Sequence, residues 1–141
     1  MRQYHYDLKK YPLSEIALES IQKHYPDVKD LTLLHEHVPA KKIGELAKVI
    51  GKDLADTNFY SIFDTLVEDH LSLGEILVQR FGNIRINIPN QDNEGTVLPF
   101  HQGQWVGNGL GLRTVWLPFT DAYDSNSLQI VNLMDSREIT D

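Results

Sequence analysis

The hydrophobic period of this sequence changes partway along the chain, and no other feature restricts its folding as much. Up to about residue 73 the spacing is helical. In "LSEIALESIQKH" the residues Leu13, Ile16, Ala17 and Ile21 fall on one face, with Pro12 just before and Ser14 at the expected N-cap. Ile43, Leu46, Ala47, Ile50 and Leu54 follow the i, i+3, i+4, i+7, i+11 pattern of a second amphipathic helix. After Asp56-Thr57-Asn58, a third run carries Phe59, Ile62, Phe63, Leu66 and Val67. Beyond Leu73 the period becomes two. "NIRINIP" alternates Ile84, Ile86 and Ile88 with Arg85 and Asn87, as a strand with one apolar face would. "TVLPFH", "LRTVWLPF" and "SLQIVNL" are rich in β-branched and aromatic residues, and the turn-forming stretches "PNQDNEG" and "GNGLG" separate them. Helices followed by antiparallel strands predict an α+β fold in one domain, helical over 1–73 and β-rich over 74–141.

A chain of 141 residues is long enough for one buried core. Its net charge of −7 disfavours nucleic acid or an anionic membrane as principal partner, because both require clustered Lys and Arg. One or two local arginines still suffice for a small anionic ligand. Without cysteine there are no disulfides, thiolate sites or thiol nucleophiles, so His, Asp and Glu are the candidate metal ligands. "MRQYHYDLKKYPLSE" lacks the apolar core of a signal peptide, and no window reaches the ~18 apolar residues of a membrane span. A cytoplasmic protein is expected.

The stretch "LPFHQGQWVGNGLGLRTVWLPFTDAYDSNSLQIV" points to chemistry. A proline precedes a His-Gln-x-x-aromatic group. A variable loop, the segment "TVWLPFTDA" and an Asn/Ser turn then lead into "SLQIV". From about Arg80 to Met134 the chain resembles the Fe(II)/2-oxoglutarate oxygenases of the phytanoyl-CoA dioxygenase and ectoine hydroxylase type. It looks closest to members from carbohydrate and aminoglycoside gene clusters. The resemblance implies N-terminal helices packed on a double-stranded β-helix, a cupin-like jelly roll, of which this chain would hold part. It also implies Fe(II) and 2-oxoglutarate as cofactors, and oxidation of a small polar, sugar-derived substrate. His101 would be the first metal ligand, with Asn87, Arg85 and Thr114 against 2-oxoglutarate. Gln104, Trp105 and Trp116 would line the substrate pocket.

Two features depart from that pattern. A facial triad needs two histidines and a carboxylate on one side of the iron. Residues i and i+2 of a strand point the same way, yet position i+2 from His101 is Gly103. Gly103 then marks a degenerated site, an altered triad in which a halide takes the carboxylate's place, as in some relatives, or a simple turn. In addition, no histidine follows His101, and Arg137 stands too near the Asn/Ser turn to match the family's arginine. The sequence is therefore expected to be the N-terminal portion of such an enzyme, truncated relative to the family and inactive alone. The alternative is a non-catalytic jelly-roll protein for ligand binding or assembly. For Asn87, Arg85 and Thr114 the competing reading is the polar face of a half-buried sheet. For Trp105 and Trp116 it is ordinary core.

His35 and His37 of "HEH" share a side if that segment is extended, but no further ligand lies at zinc spacing, and Pro39 marks a surface connection. His70 reads as favourable charge at a helix C-terminus. A half-set of strands leaves the face of Ile84, Ile86 and Ile88, or that of Val115 and Leu117, without a covering sheet. A homodimer burying more than ~1,000 Å² is the expected remedy.

Overall fold

Among the described residues three long helices pack together, and local chemistry starts the first and the last of them. The computed structural model describes residues 3–71, 78–79, 81–89, 113–124, 127–128 and 130. Helix α1 spans Leu13–Gln22. Its N-cap is Pro12, whose carbonyl accepts the Ile16 N–H at 3.1 Å, so Ser14 lies inside the first turn and makes no side-chain cap. A proline with its φ already fixed has started the helix two residues before the expected hydroxyl. A turn follows α1, held by the Gln22 amide donating to the Val28 carbonyl at 2.7 Å. Asp30 then caps a short 3₁₀ turn, Leu31–Leu33, by accepting from the Thr32 N–H at 2.8 Å.

The one-turn helix α2, Leu34–His37, contains the HEH group. In a helix His35 and His37 lie about 200° apart around the axis. Both are exposed, and a shared side is ruled out. A second 3₁₀ turn, Ala40–Lys42, runs into α3, Ile43–Ala55. The anticipated break at Asp56-Thr57-Asn58 follows. There the Thr57 hydroxyl donates to the Leu54 carbonyl at 2.8 Å and accepts the Phe59 N–H at 3.1 Å, which opens α4, Phe59–Leu71.

Helix α1 packs on both α3 and α4, and those two pack on each other. The periodic residues face inward as their spacing requires. Leu13, Ile50 and Leu54 are among the largest fully buried side chains, joined by Val28 and Val38 from the connections. His24 Nε2 and Asp53 Oδ2, 2.6 Å apart, link the end of α1 to α3 across the surface. Among the described residues no helix is long and apolar enough to cross a membrane.

The expected jelly roll is not found: the regular elements among the described residues are all helices, with no strand and no sheet. The stretches read above as strands, "NIRINIP" and "LRTVWLPF", fall in the described segments 81–89 and 113–119, which are non-helical and carry no strand among the described residues. The alternation itself is real. Ile88 is buried and Ile84 and Ile86 pack half-buried against the helical core, while Arg85 and Asn87 face solvent. Period two reports that one side of a chain segment is covered, without specifying what covers it. Here helices do. A Cβ on Gly51 of α3 would lie 3.8 Å from Ile84 Cγ1, ordinary van der Waals contact, so the isoleucine packs directly over this position of the helix. Leu117 packs on the same core, whereas Val115 is 43% exposed. The isoleucine face on which the homodimer was predicated is thus covered within one chain.

"TVLPFH" and "GNGLG" lie outside the described residues, as does most of "PNQDNEG" and of "SLQIVNL". The Asn/Ser turn is partly described. Asp124 takes a left-handed φ of 43°, and its carbonyl accepts both the Ser127 N–H at 3.3 Å and the Ser127 hydroxyl at 2.7 Å.

Candidate functional site

The two described segments that carry the family resemblance meet on a pair of aromatic residues at the start of α4. The Phe59 and Tyr60 rings stand edge to face at 5.2 Å between centroids. Phe119 sits edge-on to Phe59 at 5.9 Å, and Phe81 edge-on to Tyr60 at 6.2 Å. The Tyr60 hydroxyl also accepts the Gly82 N–H at 2.9 Å. One helix start therefore anchors both 81–89 and 113–119. Such aromatic pairs each contribute about 0.5–1.5 kcal/mol beyond the area they bury. Phe59 is legible in the sequence as a core position; Tyr60 is not, and only the adjacent Phe-Tyr pair hints at it.

Arg85 and Asn87 project from the first segment into solvent, and Thr114 from the second is exposed as well. Trp116 is 45% exposed, which removes the reading of it as core. His101, Gly103, Gln104 and Trp105 lie outside the described residues.

The sequence gives one imidazole at His101 and no side chain at Gly103, and no histidine follows. Among the described residues no group of three or more His, Asp or Glu side chains is placed to hold a metal ion. One imidazole is a weak anchor for Fe(II). No oxidation step is assigned to this chain.

A second polar cluster escapes sequence reading. The Tyr11 hydroxyl, on a side chain only 3% exposed, donates to Asp69 Oδ2. Lys10 Nζ donates to the same oxygen at 2.7 Å and sits 4.9 Å above the Tyr11 ring. His70 lies edge-on to Tyr11, with its Nδ1 3.0 Å from the Leu66 carbonyl. This cluster fastens the N-terminal segment to the last turn of α4. The hydrogen bond from Lys10, then that from Tyr11, lowers the Asp69 carboxyl below its ordinary value, and the same contact with Asp69 raises the Lys10 ammonium. A carboxyl depressed in the folded state stabilises above its unfolded value and loses that contribution as pH falls through the folded value. The urea midpoint of wild type should therefore exceed that of Asp69→Asn near neutrality, and the gap should close on acidification below ordinary carboxylate values. A gap independent of pH would assign the stabilisation to something other than the Asp69 charge.

Comparison with family models, with curated proteins and with solved structures finds no match to this chain.

Proposed function

We propose that the chain is a member of the Fe(II)/2-oxoglutarate oxygenase family of the phytanoyl-CoA dioxygenase and ectoine hydroxylase type, one that does not complete the iron site within these 141 residues. The reading rests on the residues around His101 and not on a jelly roll. The observation that favours it is the joint anchoring of segments 81–89 and 113–119 on Phe59 and Tyr60, which leaves Arg85, Asn87 and Thr114 exposed for an anionic cosubstrate. An intact relative would bind Fe(II) and 2-oxoglutarate, cleave O₂ and oxidise a small polar, sugar-derived substrate. In this chain Gly103 removes the carboxylate.

The test is an anaerobic Fe(II) titration with and without 2-oxoglutarate, followed by an assay for succinate in air. Wild type should bind no stoichiometric iron and form no succinate. Gly103→Asp should tighten Fe(II) binding by about tenfold or more, since a chelating second ligand adds at least ~1.4 kcal/mol, still without full turnover. Tight one-to-one iron binding by wild type would refute the incomplete site. No gain from Gly103→Asp would refute the assignment of His101.

A second reading, a non-catalytic assembly protein, is favoured by the exposed apolar residues Val78, Phe81, Val115, Trp116 and Ile130. It predicts a homodimer at micromolar concentration by sedimentation, weakened by Trp116→Ser. A monomer would dismiss it.

A further inference from the structure

Between the end of α1 and the first turns of α3 lies an open cleft of about 260 Å³ lined by His24, Tyr25, Lys42, Glu45, Leu46 and Val49. Its lining is sorted by chemistry. Leu46, 4% exposed, and the half-buried Val49 supply an apolar base, and Tyr25 adds an aromatic ring. Lys42 Nζ and Glu45 Oε2 place opposite charges 2.8 Å apart on the rim, with side chains 51% and 67% exposed. His24 is held by Asp53 and so keeps its ring in place.

We propose that this cleft binds a small zwitterion, a molecule carrying an ammonium and a carboxylate on one carbon together with a short apolar group. Lys42 takes the carboxylate, Glu45 takes the ammonium, and Leu46, Val49 and Tyr25 receive the apolar group. An exposed i, i+3 ion pair is worth little, in the range of ~0–1 kcal/mol, so opening it for a ligand costs little. A zwitterion replaces both lost partners at once, whereas a ligand with a single charge leaves either Lys42 or Glu45 unpaired. The volume falls below the ~300–1,000 Å³ typical of sites for drug-sized ligands, which selects a small metabolite. 2-Oxoglutarate, with two carboxylates and no ammonium, would set a negative group against Glu45. The cleft is therefore independent of the oxygenase reading.

The experiment is an NMR titration of the full chain, following the His24 ring and Val49 methyl signals. L-leucine is the probe, with isovalerate and isoamylamine as its carboxylate-only and ammonium-only counterparts. Leucine should give saturable shifts in the millimolar range, with each counterpart weaker by up to about fivefold, the ~1 kcal/mol of one exposed ion pair, and 2-oxoglutarate inert. Glu45→Gln should weaken leucine but not isovalerate, and Lys42→Met should weaken leucine but not isoamylamine. Both positions are exposed, and unchanged circular dichroism confirms that the variants fold. No saturable shift with leucine, equal binding of the counterparts, or the same shifts with 2-oxoglutarate would overturn the proposal. None of those results bears on iron binding at His101.

Discussion

Leu54→Ala should destabilise the protein by about 2–5 kcal/mol, the usual range for truncating a buried leucine. Leu54 is 0% exposed and lies in the last turn of α3 within the shared core. The substitution removes apolar contact and leaves a cavity, and the surroundings cannot close it without moving the helix. The Leu54 carbonyl also accepts the Thr57 hydroxyl and N–H, so relaxation there would disturb the turn that starts α4. A domain has roughly 5–15 kcal/mol in total, so the variant should sit near its unfolding threshold. The matching control is Leu8→Ala. Leu8 is 61% exposed, and a surface change of this kind stays within about 0.5 kcal/mol. Urea unfolding should show a lowered midpoint at unchanged slope for Leu54→Ala. A loss below about 1 kcal/mol would mean that the helices do not share one tight core.

Ile88→Asp should release the 81–89 segment from the helices while leaving the helices folded. Ile88 is buried against the core, and an unpaired carboxylate placed there must be desolvated or expelled. Expulsion is the cheaper outcome for a segment that forms no strand among the described residues, and its docking is worth a few buried side chains, about 2–4 kcal/mol. The open population should rise by two orders of magnitude or so. Limited proteolysis within 78–89 should accelerate in proportion when opening is fast, with the helical circular dichroism retained. Asn87→Asp adds the same charge one residue away, on an exposed position, and should change stability by less than about 0.5 kcal/mol. Equal sensitivity of the two variants would refute the inward and outward assignment.

These two variants also mark what the sequence could express. The helical half was legible because the burial of Leu13, Ala17 and Ile21, and of Ile43, Leu46, Ile50 and Leu54, repeats the period that the chain displays. In the other half, one-sided burial was legible at Ile84, Ile86 and Ile88, but the partner was not. A sheet and a helical layer impose the same alternation, and choosing the sheet gave the wrong architecture. Contacts between distant residues leave no local pattern at all. Asp69 is 58 positions from Tyr11, and Asp53 is 29 from His24. Nothing in "DLKKYP" or "LVEDHL" announces that one carboxylate will bind both Lys10 and Tyr11. Of the candidate site, the exposure of Arg85, Asn87 and Thr114 agrees with a polar face, while the Phe59–Tyr60 anchor came only from the structure.

The junction of Lys10 and Tyr11 with Asp69 has a kinetic consequence. It closes a loop of 58 residues, wider than those between consecutive helices, and loop closure costs chain entropy before any contact rewards it. Pairing of α1 with α3 and of α3 with α4 spans shorter separations and should form the folding nucleus. The Asp69 junction should then be made after the transition state. Interactions absent from the transition state leave the folding rate nearly unchanged and slow unfolding instead. Three side chains at the margin of the core thus act on how long the native state lasts, and scarcely on how quickly it is reached.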